Sequence, residues 1–307
     1  MKVNANGLHI EVEDSAALDP SHLQRPVVLL IMGLGMQLIS WPEHFVQPLL
    51  YAGYRVVRFD NRDSGLSTAF DHLGKPNMPW AMMKLHMGLA LHPPYSLADM
   101  AHDSLGVLDA LGIARAHVVG VSLGGMVAQR VAIAAPDRVS SLTSIMSTSG
   151  AKGLPGPAPQ ALKAMMSKPR DKSEDAVVEY GMQVLRTIGS PAYPTPDAEM
   201  RASIQQGYRR SLRPHGTLRQ TLAVMADTER AALLSRIQCP TLVLHGRTDP
   251  LVPFACAEDT AQRIPGAVLL GIDGMGHDLP SEPVRQMHVP LIPHLYFAQQ
   301  RLAGDTP

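Results

Sequence analysis

The chain has 307 residues, of which 45% are hydrophobic, and its 27 basic residues equal its 27 acidic ones. This balance excludes the charge pattern of a nucleic-acid-binding or polybasic membrane-binding protein, and two cysteines are too few for a disulfide framework. The N-terminus lacks the apolar region of a secretory signal, and the longest apolar run, residues 27–39, is broken by glycines and too short to span a bilayer. We therefore expect a cytoplasmic protein without nucleic-acid or membrane partners, whose oligomeric state stays open.

Short apolar runs of the β type alternate with helical patterns, which predicts a parallel sheet with crossover helices. Most of these runs are continuously apolar, as expected for strands that helices cover on both faces. The predicted strands are residues 8–13, 27–32, 55–59, 117–121, 141–146, 241–245 and 268–272.

A methionine-rich segment, residues 80–91, lies between the third and fourth predicted strands and is apolar on nearly all sides. It is interpreted either as a core helix or as a wall of a substrate pocket, because methionine adapts to irregular shapes. On the second interpretation Met83 and Met87 line the pocket, and we expect Trp41 to line it as well.

Two helices near the predicted fourth strand carry clear end signals. Ser96 with Asp99 three residues later is typical of a helix N-terminal capping pair, and Gly112 stands where a C-terminal glycine belongs. A second helix is predicted to begin at Leu123 and to end before Pro136, because proline breaks a helix interior.

The middle of the chain differs, because no convincing strand occurs there. Residues 149–230 therefore predict a helical cap inserted between two parts of one core domain, residues 1–148 and 231–307. The cap methionines Met165 and Met166 are candidates for the apolar pocket. The predicted cap helices are residues 161–167, 174–186, 197–210 and 218–226.

The strongest chemical signal is the sequence Gly-Val-Ser-Leu-Gly-Gly at residues 120–125, between a predicted strand and a predicted helix. This G-x-S-x-G pattern in this context is typical of a nucleophile elbow, in which Gly120 and Gly124 relieve crowding around an exposed Ser122. The helix N-terminus adds partial positive charge beside a developing anion. Ser122 is the candidate nucleophile; a chance match is the alternative.

A serine hydroxyl needs a base, and the base needs a group that orients it. In chain order, the next candidates are Asp249, in the turn after strand 241–245, and His277, in the glycine-containing loop after strand 268–272. Serine, acid and histidine follow successive strands in the order that this pattern predicts. We expect Asp249 and His277 to complete a catalytic triad, with a plain Asp-Pro turn as the alternative for Asp249.

An oxyanion intermediate needs two backbone N–H donors, each worth roughly 10²–10³ in rate. We expect one from Leu123, directly after the nucleophile. The other is expected from Leu34, because Gly33 and Gly35 let the loop after strand 27–32 bend toward the site. An ordinary glycine turn is the alternative.

The remaining charged and histidine residues are interpreted as structural. The charged run 60–65 follows a strand, and we expect it to brace its loop by ion pairing and capping. His245 and His288 are interpreted as structural histidines. His86 and His92 lack a partner set, so we assign no metal site.

These motifs resemble the α/β-hydrolase superfamily over residues 5–148 and 232–280. Within it, the chain is similar to bacterial hydrolases of the aclacinomycin methylesterase type, on residues 30–35, 40–42, 58–67 and 94–100. The resemblance implies an eight-stranded, mostly parallel sheet with one antiparallel strand near its start. It also implies ester hydrolysis through an acyl-enzyme without cofactor. The chain departs from the common pattern in having Met32 where many relatives have histidine.

The sequence thus predicts a carboxylic-ester hydrolase for a small to medium apolar substrate, with no cofactor. The same triad also serves lactone, thioester or C–C bond cleavage, or acyl transfer, and these alternatives stay open. Dehalogenases and epoxide hydrolases place aspartate at the position of Ser122 and are disfavoured. A non-catalytic ligand receptor on a hydrolase scaffold is the alternative from another class.

Overall fold

The computed structural model describes residues 1–304 and places one eight-stranded sheet at the centre of the protein, in the order β1-β2-β4-β3-β5-β6-β7-β8. Strand β2 runs antiparallel to β1 and β4, and the pairs from β4 to β8 are parallel. The strands are β1 (Lys2–Ala5), β2 (Leu8–Asp14), β3 (Val27–Ile31), β4 (Arg55–Phe59), β5 (Ala116–Val121), β6 (Val139–Ile145), β7 (Thr241–Gly246) and β8 (Val268–Ile272).

All seven strands predicted from the apolar runs are present, and the eight-stranded, mostly parallel sheet is confirmed. The apolar pattern misses β1, a four-residue edge strand in which polar Lys2 and Asn4 alternate with Val3 and Ala5. So short an alternating run carries too little signal to be told from a loop.

Twelve helices connect or flank the strands in the described part of the chain. They are α1 (Ser15–Leu18), α2 (Glu43–Tyr51), α3 (Met78–His86), α4 (Leu97–Ala110), α5 (Leu123–Ala134), α6 (Pro159–Met166), α7 (Glu174–Ile188), α8 (Asp197–Arg210), α9 (Pro214–Ala226), α10 (Arg230–Leu233), α11 (Ala255–Arg263) and α12 (Ser281–Gly304). Ser96 and Asp99 form a complete capping box at the start of α4, as the sequence predicts. Within residues 1–304, no helix has the length and apolar character needed to cross a membrane.

The core consists of two apolar clusters, one on each face of the sheet. Helices α4 and α5 pack on the first face, with Leu97 and Val127 fully buried. Helices α2 and α12 cover the second face, where Phe45 and Leu291 are fully buried. Continuous apolar strands therefore result from burial on both faces, as in other helix-covered parallel sheets.

The chain between β6 and β7 is helical, as the sequence predicts. Helices α6 to α9 make up a region that we call the helical segment, residues 159–226. Helices α7 and α8 pack against each other through a small cluster of Val178, Met182 and Met200. The buried side chain of Ala223 on α9 joins the first core cluster instead, so α9 is attached to the sheet.

The methionine-rich segment forms α3, and its core-helix interpretation is wrong. Trp80, Met82 and Met83 are each about half exposed, and only Ala81 of this helix is buried. Asn77 caps the helix start and Met87 follows its end. The segment is apolar on nearly all sides without being buried, which is why its composition suggested a core position.

Candidate active site

Ser122 lies at a sharp turn between β5 and α5, at the carboxyl edge of the sheet. Its backbone has φ 55° and ψ −118°, in a region that residues with a side chain rarely adopt. The Ser122 N–H donates to the Ile145 carbonyl at 2.8 Å, and the Ser147 hydroxyl donates to the Ser122 carbonyl at 2.7 Å. Hydrogen bonds from the end of β6 thus hold the strained turn.

Two glycines make this turn sterically possible. A Cβ at residue 120 would lie 2.1 Å from the Gly124 carbonyl oxygen, and a Cβ at residue 124 would lie 2.0 Å from the Ile31 carbonyl oxygen. Both neighbours are backbone atoms that cannot swing away. The turn therefore requires glycine at both positions, as the G-x-S-x-G pattern predicts.

The three predicted triad residues meet at this edge although they are far apart in the chain. The Ser122 hydroxyl lies 3.0 Å from His277 Nε2, and His277 Nδ1 lies 2.7 Å from Asp249 Oδ2. The Asp249 carboxylate can only accept a hydrogen bond, so the proton of His277 is on Nδ1. The Nε2 atom of His277 is therefore left to accept a hydrogen bond from the serine hydroxyl. This is the arrangement in which an imidazole acts as a base toward a serine.

Asp249 is held as an ionised carboxylate. Burial raises its pKa, but the charge of His277 and hydrogen bonds from His245 and His277 outweigh burial, so that the pKa is below its ordinary range. Its Oδ1 accepts backbone N–H bonds from Leu251 and Val252, both at 2.8 Å. The carboxylate is therefore fixed on both oxygens before it contacts the imidazole.

His245 has a structural position behind the triad, as the sequence predicts. Its Nε2 donates to the Val252 carbonyl at 2.8 Å and lies 3.4 Å from Asp249 Oδ2. The side chain is fully buried, and its bond to Val252 holds the turn that carries Asp249. The contact joins the end of β7 to the turn that follows it, four positions later in the chain.

The two predicted oxyanion donors are Leu34 and Leu123. Neither backbone N–H donates to any other described residue. A Cβ at Gly33 would lie 3.4 Å from the Ser122 Cβ and 4.0 Å from its hydroxyl oxygen, which places the loop directly beside Ser122. The role of the two amides stays a prediction.

The loop that carries Leu34 is held by polar contacts that the sequence did not reveal. Gln220 of α9 accepts the Gly35 N–H at 2.8 Å and donates to the Arg62 carbonyl at 2.8 Å. Asn61 donates to the Met32 carbonyl at 2.9 Å. Helix α9 and the turn after β4 thus fix the loop from two sides.

The charged run 60–65 braces this region, as the sequence predicts. Asp60 accepts the Leu38 N–H at 2.7 Å and contacts Arg210 of α8 at 2.7 Å. Asp63 forms a two-pronged ion pair with Arg219 of α9, at 2.7 and 2.8 Å. Both carboxylates are fully buried, and they bind the helical segment to the turn after β4.

The predicted pocket residues lie in two environments. Trp41 is 1% exposed and its ring packs on Phe45 at 4.7 Å, within the second core cluster. Its indole N–H has no partner among the described residues. The four methionines are exposed at the surface of α3 or α6 or just after α3: Met83, Met87, Met165 and Met166. Their pocket role stays a prediction.

In residues 1–304, no group of three or more histidine, cysteine or acidic side chains could hold a metal ion. The two cysteines are both free thiols. Burial raises the pKa of Cys239 to about 11, so this thiol stays protonated and unreactive near neutral pH.

The sheet order, the elbow and the position of the acid and histidine together define a class of protein. The family model described as "alpha/beta hydrolase fold" matches residues 26–283, and the chain belongs to this family of hydrolases. The expected resemblance to bacterial methylesterases is confirmed by two relatives. Rhodomycin D methylesterase DauP of Streptomyces sp. (strain C5) is 32% identical over 82% of this chain and 85% of its own length. DnrP of Streptomyces peucetius, with the same enzyme name, is 31% identical over the same shares.

More distant relatives carry other names. A RutD protein of Variovorax paradoxus (strain S110), named as a carbamate hydrolase, is 29% identical over 88% of this chain and 89% of its own length. An enol-lactonase from Burkholderia xenovorans LB400 superposes with a TM-score of 0.71 at 21% identity, over 96% of this chain and 100% of its own. At this identity the likeness establishes the fold alone.

Proposed function

We propose that the protein is a carboxylic-ester hydrolase in which Ser122 is the nucleophile, His277 the general base and acid, and Asp249 the group that orients the histidine. The carrying observation is the hydrogen-bonded chain from Ser122 through His277 to Asp249, at 3.0 and 2.7 Å. An isolated serine does not attack an ester at neutral pH, whereas a serine beside a correctly oriented neutral imidazole does.

The reaction follows from these contacts. The Ser122 oxygen attacks the ester carbonyl while its proton passes to His277 Nε2, and the Leu34 and Leu123 amides stabilise the tetrahedral oxyanion. His277 then gives the proton to the leaving alcohol, which breaks the ester C–O bond and leaves an acyl-serine. Water attacks the acyl group with His277 again as base, which releases the acid and restores Ser122.

We infer that residues 149–230 act as a cap over the site, as predicted from the sequence, and that the substrate is a small to medium apolar ester. The exposed side chains of α3 and α6 support an apolar preference, because the exposed Met83 and Met165 offer adaptable contact surface. The methylesterase names of the two Streptomyces relatives support an ester as the substrate class. Cytoplasmic location stays a prediction.

The test is hydrolysis of a panel of nitrophenyl esters of increasing acyl length by the wild type and by Ser122→Ala. We expect the variant to lose about 10⁴- to 10⁶-fold in kcat, because it removes the attacking atom. A fluorophosphonate probe should label the wild type at Ser122 and leave the variant unlabelled. Equal ester hydrolysis by the two proteins would exclude Ser122 as the nucleophile.

Carbamate hydrolysis is a second candidate, favoured by the RutD relatives. A competitive screen over esters, lactones, thioesters and carbamates, with Ser122→Ala as blank, ranks these substrates by kcat/KM. We expect esters to rank first. A folded wild type that hydrolyses none of them and does not react with the probe would instead favour the ligand-receptor alternative.

A further inference from the structure

The loop that carries His277 is bound to the end of helix α7 in the helical segment. Ser190, two residues past α7, accepts the Gly276 N–H at 2.9 Å through its hydroxyl oxygen. The same hydroxyl donates to Asp278 Oδ1. One buried serine thus contacts the residues immediately before and after His277.

The backbone of His277 itself is bound to the same turn. Its N–H donates to the Ile188 carbonyl at 2.7 Å. The approach is close, because a Cβ at Gly276 would lie 2.2 Å from the Gly189 carbonyl oxygen. A Cβ at Gly189 would in turn lie 3.0 Å from Asp278 Oδ2. Glycine at residue 276 lets the two backbone segments lie in direct contact, and glycine at residue 189 leaves room for the Asp278 carboxylate.

Asp278 adds a second carboxylate to the loop that carries His277. Burial raises the pKa of Asp278 above its ordinary value, although the Ser190 hydrogen bonds and the charge of His277 oppose this rise. The titratable groups near the ring come from three places. Asp249 and His245 lie on the β7 side, Asp278 follows His277 in its own loop, and Ser122 faces the ring from the elbow.

We propose that Ser190 and Asp278 are a positioning pair that holds the His277 ring in line with Ser122 and Asp249, so that the helical segment sets the geometry of the base. This inference rests on the function proposed above. It identifies two residues outside the triad for the same reaction, and neither touches the reacting atoms. Ser190 acts through the loop backbone, and Asp278 acts through that backbone and through its charge.

The chemistry of the two side chains separates these effects. A hydroxyl both accepts from an N–H and donates to a carboxylate, so Ser190→Ala removes both bonds at once. Asp278→Asn keeps an oxygen that accepts from Ser190 but removes the negative charge. Asp273→Asn is the matched control, because Asp273 lies in the same loop with a side chain that is 91% exposed.

The experiment measures fluorophosphonate labelling of Ser122 against pH, together with the low-field proton resonance of the His277 Nδ1–H that binds Asp249. We expect Ser190→Ala to slow labelling by about 10- to 100-fold and to shift or broaden the resonance, because small displacements of a base are costly. We expect Asp278→Asn to keep the rate at high pH and to move the acid limb to lower pH, because the imidazolium loses a nearby anion. Asp273→Asn should match the wild type in both.

The outcomes are distinguishable. Wild-type labelling and an unchanged resonance in Ser190→Ala would overturn the positioning role of Ser190. An acid limb common to Asp278→Asn and Asp273→Asn would overturn the role of the Asp278 charge. If the wild type resists the probe while Ser190→Ala still disturbs the resonance, the proposed function fails and the positioning pair stands. Thermal unfolding of each variant shows whether the fold is kept.

Discussion

The central sheet and the helical segment are held together by different forces. The sheet core consists of two large clusters of buried apolar side chains. Helices α7 and α8 share a cluster with only three buried residues, and α6 leaves Leu162 and Met166 exposed. Polar contacts bind the segment to the sheet edge, through Arg210, Arg219, Gln220 and Ser190.

Because of this difference, the parts of the candidate site are held in place in two ways. The elbow around Ser122 depends on close backbone packing inside the sheet core, where nothing can shift by an ångström without loss of contacts. The His277 loop and the Leu34 loop depend on polar groups of the helical segment. A substitution in the core is therefore expected to distort the elbow and the fold together, and one at the buried polar contacts to destabilise the attachment of the helical segment.

The largest expected effect, on folding and activity together, comes from breaking the core side of this comparison. In Gly124→Ala the new methyl group would lie 2.0 Å from the Ile31 carbonyl oxygen and 2.8 Å from the Met32 carbonyl oxygen. We expect a loss of about 3 kcal/mol or more in the free energy of unfolding, because both neighbours are backbone. Urea denaturation measures the loss, and fluorophosphonate labelling should vanish with it.

Gly156→Ala is the control for this substitution. A Cβ added at Gly156 would meet no described atom within 4 Å, and the residue lies at the exposed entry to the helical segment. We expect a change within about 0.5 kcal/mol. A Gly124→Ala protein as stable and active as Gly156→Ala would show that the elbow tolerates movement, contrary to the core interpretation.

The next prediction breaks the polar contact between the segment and the sheet edge. Arg219 is 1% exposed and Asp63 is fully buried. Burial raises the pKa of Asp63, but hydrogen bonds from Arg219, the Phe70 N–H and the Tyr95 hydroxyl outweigh burial and keep this pKa below its ordinary value. Arg219→Met leaves an unpaired buried carboxylate. We expect the free energy of unfolding, measured by urea denaturation, to fall by about 3–5 kcal/mol.

Arg186→Met is the matched control within the helical segment. Arg186 pairs with Asp197 at 2.6 Å, but both side chains are half or more exposed. Water replaces such a pair at little cost, so we expect no measurable change in stability. Equal losses in the two variants would mean that burial of the Asp63–Arg219 pair does not matter to the attachment of α9.

The sequence predicted most of the sheet, and the meeting of Ser122, Asp249 and His277, because their signals are local. The fold need not be known to recognise a glycine pattern between a strand and a helix, or polar residues that follow successive strands. The contacts of Gln220 and Ser190 could not be predicted in this way. Each joins segments whose distance depends on how the helices pack, and a single serine or glutamine in a helical pattern carries no signal of its partner.

The exposed α3 shows the reverse failure. Its composition is as apolar as that of a buried helix, so periodicity alone could not separate a core position from a surface one. Only the packing of neighbouring elements decides that question. Helices α2 and α12 fill the second core cluster instead. Their helical pattern is weaker in the sequence because prolines interrupt it, at Pro48 in α2 and at Pro290 and Pro293 in α12.

The smallest expected effect tests whether the sheet core excludes a charged side chain, whereas the helical segment is attached through ionised ones. His117 on β5 is 1% exposed, and burial, aided by nearby His294, lowers its pKa from the ordinary 6.5 to about 4. Between these two pH values the unfolded chain binds a proton that the folded chain excludes, so stability falls as the pH falls. We expect His117 to account for a loss of about 2 kcal/mol between about pH 7 and about pH 5. The variant His117→Asn keeps a polar atom near the Ser141 hydroxyl. Over the same pH range its free energy of unfolding, measured by urea denaturation, should fall by about 2 kcal/mol less than that of the wild type. An identical pH dependence in the variant and the wild type would show that His117 takes up its proton inside the folded sheet.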